Sequence, residues 1–235
     1  MREQLIATYS IVARDAATGG LGVAVQSCYL AVGAAVPWGE AGVGVVATQS
    51  FANLDFGPEG LAMMREGIAP ADALRRLLEG DQRGETRQVA LLDSSGRIAT
   101  HTGAACVAAA GHLTDDGVSV QANMMTDDTV WPAMLCAYRH AGGDLAARLV
   151  TALEAAEATG GDIRGRQSAA LLVVSGSRAH KPLAGPVVRF AGRRPSGPVR
   201  RNCSAASPEA GTKRTTTIFG SRSGGANRRR GCSAT

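Results

Sequence analysis

A succession of short β-rich runs opens the chain, and this feature restricts the fold more than any other. Residues 8–13 and Leu21–Ser27 are joined by a turn that contains Asp and Gly, which predicts a β-hairpin. Two further runs, residues 31–36 and 42–49, are also mostly apolar. Continuous apolar character indicates strands that are buried on both faces. The runs therefore predict the interior of a layered protein.

Helical patterns separate this region from the later strands. Apolar residues recur at helical spacing, and the predicted helices cover residues 58–64, 69–78 and 129–158, the last broken near Gly142 and Gly143. Further strands are predicted at Arg87–Asp93, residues 97–102, Val118–Asn123 and Ser168–Val174. The alternation of strand groups and helix groups predicts an α+β fold in which helices cover antiparallel sheets.

The net charge of +5 conceals two parts of opposite charge. Residues 186–235 hold eleven of the 25 basic residues and one of the 20 acidic residues, so this tail carries +10 and the remainder carries −5. The tail is rich in Arg, Ser, Gly and Pro and shows no hydrophobic periodicity. We therefore expect three parts: a prefix (residues 1–7), one domain (residues 8–185) and a tail without packed structure (residues 186–235).

Composition excludes several classes of protein. The sequence has no run of eighteen apolar residues, so we expect no membrane span, and the first residues lack the apolar core of a secretory signal. Five scattered cysteines without a CxxC pair give no zinc pattern and fit a reducing cytoplasm. We predict a cytoplasmic protein without a metal or another cofactor.

Thr8 has the residue type and the position of an amino-terminal nucleophile. If residues 1–7 are removed, its hydroxyl and a free α-amine lie on one residue, and the amine, with a pKa of about 8, can serve as the base for the hydroxyl. The alternative is a β-branched residue that simply begins a strand.

Several motifs resemble those of the DUF1028 family, in the same order along the chain. They are residues 8–15, 22–27, 47–49, 101–103, 111–112, 121–124 and, most specifically, 160–170. DUF1028 proteins are assigned to the N-terminal nucleophile (Ntn) hydrolases, whose fold is a four-layer αββα sandwich of two antiparallel sheets flanked by helices. The resemblance covers about residues 8–174 and implies that fold, together with hydrolysis of an amide by Thr8.

The resemblance also implies roles for other residues. Asn123 is the candidate oxyanion donor, although a strand-edge Asn can instead bond its own backbone. Asp162 or Ser168 would hydrogen-bond the new amine of Thr8. The alternative is that the loop containing them is a solvated helix end. The candidate substrate-binding residues are Arg164, Arg166, Gln167, Gln26, Ser27, Gln49, His101 and His112. The last five can equally be structural, and the two histidines form no metal pattern.

Two departures from the family bear on activity. Many members place Thr directly after the initiator Met, whereas seven residues precede Thr8 here. Activity would therefore need cleavage of the Ala7–Thr8 bond, by the chain itself or by another protease. Cys28 stands where many members carry a basic residue, which removes a cation that can depress the pKa of the amine.

The tail admits two interpretations. DUF1028 proteins usually continue with an acidic segment containing His and Asp, followed by a last helix, and neither is present. One interpretation is a frameshift, because translation of a GC-rich gene out of frame gives such Arg- and Gly-rich sequence. The other is a nucleic-acid-binding arm, and we favour the frameshift.

The leading prediction is an Ntn-type hydrolase that cleaves a small-molecule or peptide-like amide through Thr8 after removal of residues 1–7. The alternatives are a non-catalytic ligand-binding protein on the same fold and a nucleic-acid-associated protein that uses the tail. A homodimer is expected from the exposed strand edges of two-sheet folds.

Overall fold

The computed structural model describes residues 4–178 and 189–192. The strands of this part of the chain are β1 (Gln4–Ile6), β2 (Thr8–Arg14), β3 (Leu21–Ser27), β4 (Pro37–Glu40), β5 (Gly44–Ala52), β6 (Arg87–Asp93), β7 (Ile98–Thr102), β8 (Gly111–Asp115), β9 (Val118–Asn123), β10 (Ser168–Val174) and β11 (Arg189–Gly192). The helices are α1 (Phe56–Arg65), α2 (Pro70–Glu79), α3 (Val130–His140) and α4 (Leu145–Ala158).

The strands form two antiparallel sheets. The first sheet has the order β1-β5-β6-β7, and β4 also pairs with β5. The second sheet has the order β11-β10-β3-β2-β9-β8. Strands β2 and β3 are neighbours joined by a turn, as the hairpin signal predicts. Two antiparallel sheets and four helices confirm the α+β class for the described residues.

The chain passes from the first sheet to the second between Ile6 and Thr8. Ile6 is the last residue of β1 and pairs with Ser50 of β5, whereas Thr8 is the first residue of β2 and pairs with Ser27 of β3. Ala7 is therefore the single residue between a strand of one sheet and a strand of the other. The predicted prefix is thus built into the first sheet from Gln4 onward.

Three hydrophobic clusters hold the layers together. Helices α1 and α2 pack on one face of the first sheet, with Leu61 and Leu74 against Val46 and Leu91. Helices α3 and α4 pack on the second sheet in a cluster that includes Ile11 and Leu149. The third cluster lies between the sheets and contains residues of both, including Ile6, Val12, Val25, Ala47 and Leu92. The inner strands are buried on both faces, which explains their continuous apolar sequence.

Local signals place the helix ends. Pro70 is the first residue of α2, and Gly80 follows its last residue, Glu79. Helix α4 begins after Asp144, whose carboxylate accepts a hydrogen bond from the backbone N of Ala147 at 2.8 Å. The glycine pair at residues 142–143 separates α3 from α4, so the predicted break is confirmed.

The prediction of a strand at residues 31–36 is wrong. A short 3₁₀-helix covers Val32–Ala34, and it follows Ala31, whose φ is 62°. Ser168 Oγ accepts the backbone N–H of Val32 at 3.0 Å and donates to the carbonyl of Tyr29 at 2.6 Å. The Ser168 side chain, 136 residues from Val32, therefore holds this apolar segment in a turn. The local sequence gives no indication of that contact.

Four strands were not predicted from the sequence: β1, β4, β8 and β11. Strand β8 has an exposed, polar composition that gives no strand signal, yet it pairs with β9 at the sheet edge. Strand β11 pairs with β10 although it lies in the segment expected to be unpacked, so the second sheet extends past residue 185. The remainder of the tail, residues 193–235, and the first three residues of the prefix lie outside the described residues.

Candidate active site

Thr8 lies in a row of polar side chains that crosses the second sheet. Asn123 of β9 and Ser27 of β3 pair directly with Thr8, and Ser168 of β10 pairs with Ser27. All four residues are buried. Side chains alternate between the faces of a strand, and Val12 belongs to the cluster between the sheets, so Thr8 faces the same interior. Strand register thus brings together four of the predicted site residues.

The carbonyl oxygen of Ala7 receives two side-chain hydrogen bonds. Ser27 Oγ donates to it at 2.6 Å, and Arg164 Nη2 donates to it at 3.1 Å. A carbonyl oxygen gains negative charge when a nucleophile attacks its carbon, and donors placed in advance stabilise that charge. The two side chains therefore form an oxyanion-hole-like arrangement at the peptide bond that precedes Thr8.

The Thr8 hydroxyl is occupied in the uncleaved chain. Thr8 Oγ1 donates to the carbonyl oxygen of Ile6 at 2.8 Å. Only the N, Cα and Cβ atoms of Thr8 separate Oγ1 from the carbonyl carbon of Ala7, so attack on that carbon closes a five-membered ring. Ile6, Ala7 and Thr8 are at most 1% exposed. Thr8 Oγ1 and the carbonyl carbon of Ala7 are therefore enclosed by the protein in the uncleaved chain.

Asp162 holds the Arg164 side chain in place. Arg164 Nε donates to Asp162 Oδ1 at 3.1 Å, and Nη2 donates to Oδ2 at 2.8 Å. The backbone N of Arg164 also donates to Oδ1 at 2.9 Å. The carboxylate of Asp162 is fully buried, while the side chain of Arg164 is 28% exposed. A bidentate pair of this kind fixes the direction of the guanidinium. Asp162 thus contacts Ala7 through Arg164.

The loop that carries Asp162 is anchored to the end of β9 by its backbone. Thr126 N donates to the carbonyl of Gly161 at 3.0 Å, and Ile163 N donates to that of Met124 at 3.2 Å. Gly160 precedes this anchor with a φ of 123°, and a Cβ atom there would lie 2.3 Å from Thr126 Oγ1. Only glycine fits that position. The glycine pair of the family motif therefore serves the placement of Asp162 and Arg164.

Cys28 lies beside the same pair. Its backbone N donates to Asp162 Oδ2 at 3.4 Å, and its Sγ lies 3.5 Å from the carbonyl oxygen of Arg164. Its position adds no cation, but the guanidinium of Arg164 already lies at the Ala7 carbonyl. Arg164, which lies beside Cys28, therefore supplies positive charge at the Ala7 carbonyl.

A network of amide side chains lies on the other side of Thr8. Gln49 Nε2 and Asn123 Nδ2 approach the carbonyl oxygen of Thr8 at 3.3 and 3.4 Å. Both amides also donate to Gln88 Oε1 of β6, at 2.7 and 2.9 Å. These bonds join the two sheets across a buried interior, where an unpaired amide would be destabilising. Gln49 thus contacts Thr8, and its role in substrate binding stays a prediction.

Asn123 bonds a different carbonyl from Ser27 and Arg164, and its role as an oxyanion donor stays a prediction. The amide nitrogen of Asn123 donates to the carbonyl of Thr8, not to that of Ala7, whereas Ser27 and Arg164 bond the Ala7 carbonyl. Asn123 Oδ1 is buried and lacks a hydrogen-bond partner among the described residues. Asn123 thus keeps one free acceptor next to Thr8.

Ser168 and Gln167 shape the surroundings of this row. Both hydrogen bonds of the Ser168 hydroxyl go to the turn at Tyr29 and Val32, and neither goes to Thr8. The backbone N of Gln167 donates to the carbonyl of Ser27 at 2.9 Å. Ser168 therefore positions the segment after β3, and the role we predicted for it at the amine stays a prediction.

Gln26 and Arg166 lie away from Thr8. Gln26 alternates with Ser27 and so faces the helices, where its buried amide has no partner among the described residues. Arg166 pairs with Glu157 of α4 at 3.3 Å. Glu157 also accepts the hydroxyl of Tyr9 at 2.9 Å, and burial followed by the negative charge of Glu157 raises the pKa of Tyr9. Substrate binding by Gln26 or Arg166 would thus require a ligand on the helix side of the sheet.

The two histidines lie at the periphery. His101 Nε2 donates to the carbonyl oxygen of Gly84 at 2.8 Å. His112 Nδ1 lies 2.8 Å from Thr102 Oγ1, which accepts a hydrogen bond from Gln88 at 2.9 Å. Burial, followed by the charge of His101, lowers the pKa of His112. His112 thus connects with Thr8 only through Thr102 and the amide network, and His101 has a structural bond.

The described residues have few other features that bear on function. No helix in this part of the chain is long and apolar enough to cross a membrane. No group of three or more His, Cys, Asp or Glu among the described residues is arranged to hold a metal ion. A surface cavity of about 620 Å³ lies between α2 and β7, on the outer face of the first sheet, lined by residues such as Leu74, Ile98 and His101. It is separate from the interior that contains Thr8.

The DUF1028 family, described as a family of unknown function, matches residues 8–189. The chain belongs to the DUF1028 family. The crystal structure of protein SPO2555 from Silicibacter pomeroyi, also assigned to DUF1028, is 33% identical in sequence and has a TM-score of 0.73, with 80% of each chain covered. No curated protein matches. The DUF1028 match begins at Thr8, which is the first residue after the crossover between the sheets.

Sequence reasoning missed part of this DUF1028 site. Gln88 joins Gln49 and Asn123, and Ser10 joins Gln49 to Gln121 with two bonds of 2.6 Å. The sequence does indicate these residues, because each is a polar residue that interrupts the apolar positions on the inward-facing side of a buried strand. The bonds to the Ala7 carbonyl had no such signal, since they depend on how the loop after α4 folds against β3.

Proposed function

We propose that this DUF1028 protein is an Ntn-type hydrolase on a four-layer αββα sandwich, activated by cleavage of its own Ala7–Thr8 bond. One observation carries the proposal. The carbonyl of Ala7 holds two side-chain donors, Ser27 and Arg164, directly beside the only hydroxyl that can attack it through a five-membered ring. A buried carbonyl needs a hydrogen-bond partner in any fold, but this one has two side-chain donors, and one of them is charged.

Activation proceeds in two steps. Thr8 Oγ1 forms a bond to the carbonyl carbon of Ala7, its proton passes to the Thr8 nitrogen, and the carbon–nitrogen bond breaks to give an ester. Water then hydrolyses the ester and leaves a carboxylate on Ala7 and a free amine and hydroxyl on Thr8. Ser27 and Arg164 stabilise the oxyanion in both steps, a contribution of about 3 kcal/mol for each donor.

The mature enzyme uses the same groups on a substrate. The Thr8 amine accepts the hydroxyl proton as Oγ1 attacks the substrate carbonyl, and this proton passes to the leaving amine. Water then releases the acid from the ester. Asn123 Oδ1, the buried acceptor without a partner, orients the new amine from the neighbouring strand. The substrate is a small-molecule or peptide-like amide, and no cofactor enters either step.

The test is the intact mass of the purified full-length chain over time. We expect a cut between Ala7 and Thr8 at a rate that is independent of protein concentration, because the attack is intramolecular. Thr8→Ala should stay whole, Thr8→Ser should be cut, and Thr114→Ala, a matched change on the exposed edge strand β8, should behave like the native chain. Dependence of the rate on concentration, or cleavage of Thr8→Ala, would assign the cut to another protease.

A second candidate function is a non-catalytic ligand-binding protein on the same fold. The observation that favours it is the state of Thr8, which is fully buried and whose hydroxyl is bonded to Ile6. A full-length chain that stays whole and hydrolyses no amide in a panel would support this candidate. The expected homodimer and the cytoplasmic location remain predictions.

A further inference from the structure

The strand that precedes Thr8 has the form of a bound peptide. We infer that residues 4–7 occupy the acyl-side binding site of the mature enzyme and that the substrate is an extended peptide, with a small residue at the cleaved carbonyl and a branched aliphatic residue before it. This inference rests on the proposed function and extends it to the substrate class.

The backbone of β1 binds as an added strand. Gln4, Leu5 and Ile6 pair antiparallel with Ala52, Phe51 and Ser50 of β5. Strand β4 covers the same edge of β5 only from Gly44 to Ala47, so residues 50–52 have β1 as their neighbour on this edge. When β1 leaves after cleavage, the edge of residues 50–52 becomes available. An open edge of this kind recognises extended peptides through main-chain hydrogen bonds.

The side chains of the prefix define what such a peptide carries. Ile6 is 1% exposed and belongs to the hydrophobic cluster between the sheets, so its departure leaves an apolar space at that position. Ala7 is fully buried at the crossover between the sheets. A larger residue there would have to displace packed neighbours, which is destabilising. The space therefore selects a branched aliphatic side chain followed by a small one.

The acyl carbonyl of such a peptide would meet the groups that now hold Ala7. Ser27 Oγ and Arg164 Nη2 bond the carbonyl oxygen of Ala7, which is the atom that a substrate carbonyl must replace. After hydrolysis the same guanidinium faces a carboxylate, because the acid product ends where Ala7 ended. The prefix is thus both the first substrate and the first product of the site.

Peptide amides of matched sequence test the inference on chain that has cleaved itself and been freed of its prefix. The reference is acetyl-Gln-Leu-Ile-Ala coupled to a fluorescent amine. One control replaces Ile by Asp, a second carries N-methyl groups on Leu and Ile to block strand pairing, and a third is acetyl-Ala with the same amine. Loss of a buried aliphatic side chain corresponds to a decrease of about tenfold or more in kcat/KM.

We expect the reference peptide to exceed each control by at least about tenfold. Equal hydrolysis of acetyl-Ala and the reference would overturn the inference and leave amide hydrolysis by Thr8 intact. A chain that is never cut, or that cleaves no amide, would contradict the proposed function and this inference with it.

Discussion

Arg164 is the residue on which the candidate site depends most. Its guanidinium is held by Asp162 through two bonds and reaches the Ala7 carbonyl with its Nη2. The Asp162 carboxylate is buried, so the pair keeps its geometry while water is excluded from one side. The guanidinium thus provides a fixed donor and a positive charge at one carbonyl oxygen.

Removal of either donor should slow the cleavage of the full chain. We expect Ser27→Ala and Arg164→Met each to lower the first-order rate by about 100-fold, the effect of removing one oxyanion donor. The matched controls are Ser175→Ala and Arg139→Met, which change exposed residues far from Ala7 in sequence. The measurement is the intact mass over time. Rates within about twofold of the native rate for both donor variants would contradict the assignment.

His112 should make the stability depend on pH. Thr102 Oγ1 accepts a hydrogen bond from Gln88 and lies 2.8 Å from His112 Nδ1, which can accept the Thr102 proton when the imidazole is neutral. Burial, followed by the charge of His101, lowers the pKa of His112 in the folded state. The unfolded chain therefore binds the proton more readily, and the stability from neutral His112, present above pH about 6.5, is lost as the pH falls through the folded pKa.

Urea unfolding between pH 7.5 and 5 measures this effect. We expect the free energy of unfolding to fall less steeply with decreasing pH in His112→Gln than in the native chain, because Gln still accepts from Thr102 without titrating. His140→Gln changes an exposed histidine and is the control. Identical slopes for His112→Gln and the native chain would show that another group controls this range.

At the scale of the elements, a buried ion pair ties the start of β6 to the segment after α2. Arg87 Nε donates to Asp81 Oδ2 at 2.7 Å, and Arg87 Nη2 donates to Oδ1 at 3.1 Å. The two side chains are 4% and 7% exposed. The guanidinium also bonds the carbonyl of Phe51, next to the end of β5. This pair therefore contacts the end of β5, the strand with which β1 pairs.

Loss of one partner should be strongly destabilising. Asp81→Ala leaves the charge of Arg87 buried, and we expect the free energy of unfolding to fall by about 3–5 kcal/mol. Asp72→Ala removes an exposed partner of Arg75 and should change it by less than about 1 kcal/mol. Denaturant titration of both variants checks the contrast. Similar losses in the two variants would mean that the Arg87 guanidinium finds compensation elsewhere.

The elements also show what local sequence can predict. Strands such as β9 and β10 have the predicted bounds, because a buried strand has continuous apolar residues and ends at turn signals. The segment at residues 31–36 has equally apolar residues but is turned by Ser168. Strand β8 has no apolar face to reveal it. Local sequence therefore predicts a strand correctly where the apolar residues of that strand alone account for its burial. It fails where a side chain distant in sequence determines the backbone conformation.

At the scale of the whole molecule, the candidate site depends on register between distant strands. Thr8, Ser27, Asn123 and Ser168 were each identifiable as polar residues at strand ends, and the family motifs marked them. Their alignment in one row arises from the pairing of β9, β2, β3 and β10. The role of the Ala7 carbonyl was not predictable, because it requires both sheets and the loop at Asp162 to be in place.

The one-residue passage between the sheets would make the proposed cleavage depend on completed folding. Strand β1 needs β5, Thr8 needs β3 and β9, and the Ala7 carbonyl needs the loop that carries Arg164. None of these partners adjoins Ala7 in sequence. If the bond is cut as proposed, it is cut only in a molecule whose two layers have already met. An incompletely assembled chain would keep the Thr8 nitrogen in its peptide bond. The appearance of a free Thr8 amine would therefore show that assembly has finished.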